Sequence, residues 1–397
     1  MMWSRIAYHC TGGYRPTHLM GCASTLGTLL VAAVLLQPLH GALFGETAGV
    51  VSAEDGDSTL LAPTTLAEDR STEVDDATCA TCDPTMNSGH RRYFFADALF
   101  WTVREGADEN WAQIITPKDL AGFLPTNAGA ATLVDAPFDW RAGVRVGMGI
   151  QRDDGFDINL YYTNFHTSAM NQASGEVYSA FMGNFYIGNT DGGNFGPYYR
   201  HANIQWDFHF HSIDFEVSRN YAIGTNLELR PFVGLKTAII RQSIHTNWLN
   251  PIDTLTETYH FTSATEDLNL NFWGIGPSLG VTMTMPLCNE DRYNLKLFGA
   301  PSGAIMFGHW TCTEQYANDQ PNSVTIDMSP ITSAATMLRG VLGIEWEQYF
   351  SRATSTVRLG YETQLWLNQI QFYSYNMGRL NNVMSLQGGF VEWCIRF

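Results

Sequence analysis

Hydrophobic and polar residues take turns along the last segment of the chain. Val391, Trp393, Ile395 and Phe397 fall on one side of an extended backbone, and Glu392, Cys394 and Arg396 on the other. Just upstream, Val357, Leu359, Tyr361, Leu365 and Leu367 alternate with Arg358, Glu362, Gln364 and Asn368. Each run lasts about a dozen residues, roughly twice an ordinary globular strand and close to the span of a tilted strand crossing a bilayer. The pattern predicts that the segment ending at Phe397 completes a sheet, as the last strand of a closed barrel would.

The same test along the rest of the chain finds strands over 93–104, 138–151, 156–166, 203–219, 227–241, 267–285, 293–310 and 337–350. With 356–368 and 385–397 these make ten. In 203–219 the apolar positions change phase between Phe210 and Ile213, which predicts a β-bulge near His211-Ser212. A second phase change falls at Phe272-Trp273. Pro231 lacks an amide hydrogen and is expected at a bulge or near the periplasmic rim, and Pro301 makes 293–310 the least regular strand. Long connections are expected over about 105–137, 170–202, 242–266, 311–334 and 372–383, and short turns over 152–155, 220–225, 288–292 and 351–355. Long and short alternate, which puts both chain ends and every short turn on one side, as an outer-membrane barrel requires. The fold class read here is all-β: a closed antiparallel transmembrane β-barrel of about ten strands. Twelve stays open, with an extra pair in 170–202 or 253–266.

Composition permits this without requiring it, since every second residue of a barrel strand is polar and no body segment is apolar enough for a helical span. The N-terminus is more specific. Arg5, Arg15 and His18 precede the apolar stretch Leu19–Leu36, Pro38 breaks it, and small-residue sites follow at Ala42 and Val51-Ser52-Ala53. Residues 1–53 therefore read as a signal peptide cut near Ala42 or Ala53, with a retained anchor as the alternative. Residues 54–90 are acidic and rich in Thr, Ser and Ala, and are expected to form a flexible periplasmic lead-in before a barrel over 91–397. Cys79 and Cys82 suit a structural disulfide or idle thiols better than a redox pair or half a zinc site, because no second CxxC or HxxxH is near. Export would leave five cysteines, these two with Cys288, Cys312 and Cys394, an odd number.

The alternation assigns the charges to one face. Its basic members are Arg141, Arg145, Arg230, Lys236, Arg339, Arg358 and Arg396; its acidic members are Asp157, Asp207, Asp214, Glu216, Glu228, Glu345, Glu347, Glu362 and Glu392. A charge facing lipid costs about 2–4 kcal/mol at the bilayer midplane, so these side chains are expected to line the lumen. They could face one another across water in a pore, or pair into a salt-bridge ladder that fills the barrel. The signs nearly balance, so no ion selectivity follows. The net charge of −17 argues against a nucleic-acid partner. His209 and His211 share a side but read as ordinary lumen or rim residues rather than metal ligands. No nucleophile setting is read in the sequence, so no catalytic residue, metal or cofactor is assigned. Trp101, Trp140, Tyr221, Tyr349 and Trp393 read as an interfacial aromatic girdle.

Several segments together carry a resemblance. They are Phe95-Ala96-Asp97-Ala98-Leu99-Phe100-Trp101, Phe138-Asp139-Trp140-Arg141-Ala142-Gly143-Val144-Arg145-Val146-Gly147, Leu229-Arg230-Pro231-Phe232-Val233-Gly234-Leu235, Phe272-Trp273-Gly274-Ile275-Gly276-Pro277 and Gln364-Leu365-Trp366-Leu367-Asn368-Gln369. In combination, over about 93–397, the chain resembles the Legionella-type major outer-membrane proteins, a pore-forming barrel family. The resemblance implies a bacterial outer-membrane porin for passive diffusion of ions and small solutes, embedded in outer-membrane lipid and without catalytic residues or cofactors. It also implies that the barrel assembly machinery reads Phe397 as an assembly signal, and it leaves a homo-oligomer open. The acidic lead-in with its CxxC departs from the family pattern. The alternative is a non-conducting structural or adhesive surface protein whose long loops bind a partner.

Overall fold

The computed structural model describes residues 90–397 apart from 107–109, 119–124, 180–197, 225, 254–257, 291, 321–322 and 375–377. The regions read as signal peptide and lead-in, with Cys79 and Cys82, lie outside the described residues. Alternation becomes antiparallel sheet throughout. The strands are β1 (Arg91–Arg104), β2 (Asn110–Lys118), β3 (Pro125–Asp135), β4 (Arg141–Gln151), β5 (Phe156–Ser179), β6 (Tyr198–Arg219) and β7 (Tyr221–Ile223). They continue as β8 (Leu227–Ile252), β9 (Ser263–Glu290), β10 (Tyr293–Gly299), β11 (Ser302–Asn318), β12 (Ser323–Tyr349), β13 (Thr354–Ser374) and β14 (Gly378–Arg396).

The sheet closes on itself. Its order is β1, β4, β5, β6, β8, β9, then β10 with β11, then β12, β13 and β14, which pairs back with β1 from Tyr93↔Arg396 to Arg104↔Ser385. β10 and β11 are one stave broken at Ala300-Pro301, since both pair with β9 and with β12. Proline cannot donate to a ladder, and the Pro301 carbonyl instead accepts from the Val281 amide at 3.1 Å. Ten staves result, as the sequence predicts. Three strands lie beyond them: the short β7 pairs with the start of β8 through Tyr221↔Leu229, and β2 and β3 form a hairpin in the first long connection that docks on the far end of β5 through Ala112↔Ser179.

Short connections gather at the end that holds Arg91 and Phe397: 152–155 between β4 and β5, Asn220 and the small β7 between β6 and β8, the link from β9 to β10, and 350–353 between β12 and β13. In outer-membrane barrels this is the periplasmic end. Pro231 lies there, one residue past the last β6–β8 pair, Ser218↔Phe232. The opposite end differs from expectation. Residues 242–266, 311–334 and 372–383 are largely strand rather than loop, and β8, β9 and β12 run for 26, 28 and 27 residues. A tilted crossing needs about 9–11, so more than half of each strand stands outside the bilayer.

The long strands explain both phase changes. On β8, Val233, Leu235 and Ile239 are exposed on the outer face, and Lys236 is buried inside. From Ile240 onward the chemistry inverts: Ile240, Ile244 and Trp248 are buried inside, and Arg241 and Ser243 face out. Likewise Phe210 is buried inside β6 while Ile213 is exposed, and Phe272 is buried inside β9 while Trp273 is exposed. The β5–β6, β6–β8 and β8–β9 registers run unbroken through these positions. The bulge expected at His211-Ser212 is therefore absent, and the phase change at Phe272-Trp273 also passes without one. The backbone keeps its period while the greasy face moves from outside to inside, because the solvent outside changes from lipid to water. On β12 the outward apolar run is 338–346. At ~3.3 Å per residue and a tilt of about 40° it is roughly 20–25 Å tall, a bilayer's apolar thickness for a barrel. Trp140, Tyr221, Tyr349 and Trp393 are exposed at its edges, but Trp101 shares the inward face of β1 with Leu99 and Val103 and is wholly buried.

Two contacts in this frame carry predictions. Gly147 and Gly149 on β4 lie opposite Phe95 and Tyr93 of β1, and a Cβ at either would run into those rings. Gly149→Val should displace Tyr93, whose hydroxyl donates to Asp157 at 2.7 Å, and destabilise the barrel by about 1–3 kcal/mol. Urea unfolding in vesicles measures this, with the outward Gly340→Val as a near-neutral control; equal midpoints for the two would refute it. At the far end Asp319, between β11 and β12, accepts from the Thr262 amide at 2.9 Å and from its hydroxyl. The Thr262 hydroxyl holds the Asp319 carboxyl below its ordinary value. A depressed carboxylate stabilises above its unfolded pKa and stops doing so as pH falls through the folded one. The clamp should therefore be complete at neutral pH and release below about pH 4. Amide exchange at Thr262, corrected for intrinsic pH dependence, should lose protection as acid titrates the depressed Asp319 carboxyl, and Asp319→Asn should abolish that pH dependence.

Candidate functional site

Inward-facing residues at the level of the apolar belt are charged, and they are paired. Glu362 on β13 is fully buried and accepts from Arg145 Nη2 at 3.0 Å, Arg339 Nε at 2.8 Å and Gln364 Nε2 at 2.8 Å. Arg145 reaches past β1 and β14 to do so, while its Nη1 donates to Asp97 at 2.9 Å and its Nε to Thr163 at 3.1 Å. The guanidinium also lies over the rings of Trp101 and Tyr161. A second group joins Arg358 to Glu345 at 2.7 Å and to Glu392 at 3.0 Å, with Lys296 bridging Glu345 and Glu347. Arg230 pairs with Asp157 at 3.1 Å and Lys236 with Asp214 at 2.7 Å. Buried charges persist only when paired and hydrogen-bonded, and nearly all of these are. A cavity of ≈ 220 Å³ runs from this layer towards the turns, bordered by Asp97, Arg145, Arg339 and Arg358 of the ion pairs and by Gln151, Asn220, Glu228 and Arg396 nearer the turns.

Above the ion pairs the lumen is aromatic. Trp101, Phe165, Phe208, Phe210, Phe272, Trp310 and Trp366 are each less than 2 % exposed. β6 and β13 stand five places apart in a ring of ten, directly across the lumen, yet the rings of Phe210 and Trp366 meet at a centroid distance of 5.7 Å. Phe272 of β9 reaches the same indole at 6.4 Å, and Trp310 Nε1 donates to the Gln369 carbonyl of β13 at 3.0 Å. This layer bars the axis of the barrel with apolar rings.

Most of the charges singled out in the sequence converge here: Arg145, Asp157, Arg230, Lys236, Arg339, Glu345, Glu347, Arg358, Glu362, Glu392 and Arg396 all point inward, with Asp214 and Glu216. Glu228 is exposed at the cavity mouth. Arg141 stands apart, half exposed and paired with Asp139 at 3.0 Å. Asp207 faces outward and accepts from Gln205, because the bulge that would have turned it inward is absent. His209 and His211 are outward too: the first packs on His166 with ring centroids 4.2 Å apart, and the second bonds the Tyr162 hydroxyl at 2.8 Å. Among the described residues no group of three or more His, Cys, Asp or Glu is placed to hold a metal. Asp97 and Lys296 belong to the ion-pair layer but escaped the sequence reading. Asp97 is a single carboxylate in an apolar strand, and Lys296 lies in the strand that Pro301 interrupts. Cys288 is disulfide-bonded, and Cys312 and Cys394 are buried. Phe397 points outward, 58 % exposed, and its amide donates to the Arg92 carbonyl at 2.9 Å.

Comparison with known proteins gives one match by sequence and several by shape. The family described as Legionella pneumophila major outer membrane protein precursor matches residues 84–397. None of the curated proteins compared is a significant match. Among solved structures, the outer membrane protease OmpT from Escherichia coli is similar at 9% identity and a TM-score of 0.39, covering 79% of this chain and 99% of that one. The Pseudomonas putida toluene transporter TodX is similar at 7% identity and 0.25, covering 78% and 89%, and a Pseudomonas aeruginosa FadL homologue at 8% and 0.23, covering 78% and 90%. None of these likenesses carries a substrate or an activity over to this chain. The match over most of the chain, on a closed ring of ten antiparallel strands with an apolar belt, makes this protein an integral outer-membrane β-barrel that belongs to the Legionella major outer membrane protein family.

Proposed function

We propose that the protein is a closed structural barrel of the outer membrane, whose tall strands hold its far end as a surface for partners outside the cell. The observation that carries this reading is the contact of Phe210 and Trp366 between opposite staves. An apolar constriction excludes ions by excluding water, and the paired charges beneath it brace the wall rather than face an open path. Strands of 26 to 28 residues are also far longer than anchoring in lipid needs, which supports a role for the part outside it. Phe397, outward and exposed, is the residue we assign to recognition by the barrel assembly machinery.

A second reading is the porin, with passive diffusion of ions and small solutes. The ≈ 220 Å³ polar cavity on the periplasmic side supports it, as does the family resemblance. It requires the aromatic layer to part. Planar-bilayer recording of the folded chain separates the two: heat-modifiable protein without discrete conductance steps supports the closed barrel. Reproducible single-channel steps in the unmodified chain would overturn it in favour of the porin.

A further inference from the structure

The outer wall carries a feature that closure of the lumen does not use. On the lipid-facing side of β1, β4, β5 and β6, at the turn end, lies an apolar groove of ≈ 520 Å³. Its walls are two cross-strand rows: Phe94, Met148, Leu160 and Phe215 in one, Ile150 and Ile158 in the other. The volume falls within the roughly 300–1,000 Å³ of small-molecule sites. One end is basic. Arg92 lies beside Ile150 in register, Arg152 follows β4 directly, and His90 completes the rim. Arg152 pairs with Asp154 at 3.2 Å, but its side chain is half exposed and a guanidinium has five N–H donors, so donors remain.

We propose that this groove binds one anionic phospholipid of the periplasmic leaflet, with an acyl chain along the groove and the phosphate on Arg92 and Arg152. The groove opens to hydrocarbon, and its basic end sits where the belt meets the short turns, the depth of inner-leaflet headgroups. Arginine suits a phosphate because its fork donates two charge-assisted hydrogen bonds to one oxyanion. A zwitterionic headgroup would bring its own cation against the same arginines. A second copy of the chain fits worse: a two-fold interface through this face would set Arg92 and Arg152 against their own equivalents.

The test is native mass spectrometry of the chain folded in vesicles of equal phosphatidylglycerol and phosphatidylcholine, then released into detergent. The unmodified chain should retain one phosphatidylglycerol with about tenfold preference, the scale of a charge-assisted phosphate contact. R92Q/R152Q should reduce the preference to near unity, and R219Q, at the end of β6, should leave it unchanged. Leu160→Trp keeps the charges and fills the groove; it should also abolish retention, and it decides the matter should the double variant fail to insert. Inorganic phosphate should not displace the lipid. Four results would each overturn the proposal: no preference in the unmodified chain, a preference that survives Leu160→Trp, full displacement by inorganic phosphate, or a dimer released without lipid.

Discussion

Glu362→Ala is expected to destabilise the barrel by about 3–5 kcal/mol, the cost of removing one partner from a buried ion pair. The carboxylate is fully buried and takes hydrogen bonds from two arginines of different staves, so its loss leaves two guanidinium groups facing each other. Arg145 keeps Asp97 at 2.9 Å, which places the larger loss at Arg339. Glu362→Leu combined with Arg339→Leu should therefore recover much of the stability, since replacing a buried pair with apolar groups of similar volume is often neutral. Urea unfolding in vesicles, followed by tryptophan fluorescence and gel migration, gives both values. A cost below about 1 kcal/mol for Glu362→Ala, the range of solvated pairs, would mean that water bathes the arginines. The interior would then be wet, and the case for a closed barrel would weaken with it.

Those arginines and carboxylates could be located from the chain alone because alternation is strict wherever lipid touches the wall. Arg145 and Arg358 each sit between two apolar neighbours, and Glu362 follows Tyr361 in the same alternation as Arg358; only one side of such a strand tolerates a charge. What alternation cannot supply is the solvent on the far side of each residue. Trp206, Phe208 and Phe210 obey the same period as Ile213 and Phe215, yet one set fills the barrel and the other coats it. A change of face in the apolar residues has two causes, an inserted residue or a change of medium, and only the pairing register separates them. The tall strands were hidden for a related reason. Their outer residues above the belt, such as Ser243 and Asn247, are polar, so the segments have the composition of loops. Alternation with Ile244, Thr246 and Trp248 was the usable signal. Whether the charges faced a pore or each other depended on contacts between staves far apart in sequence, such as Arg145 with Glu362.

Phe210→Ala together with Trp366→Ala is expected to turn an ion-tight barrel into a leaky one. The two rings meet from opposite staves and are wholly buried, so removing both opens the axis at the level of the aromatic layer. Each truncation costs about 3–5 kcal/mol as a buried aromatic, so folding must be verified by gel migration before flux is read. Below the opened layer an ion meets the charged groups and the ≈ 220 Å³ cavity, surfaces that water wets. Flux of potassium from proteoliposomes should rise about tenfold or more over the unmodified chain if a dry constriction is the barrier. Glu362→Ala, which loosens the ion-pair layer and leaves the rings in place, should leak no more than the unmodified chain. The reverse pattern, with leakage through Glu362→Ala and none through the double aromatic variant, would move the seal from the rings to the salt bridges. Closure would then depend on charge pairing, and salt and pH would control it, whereas a barrier of packed rings answers to neither.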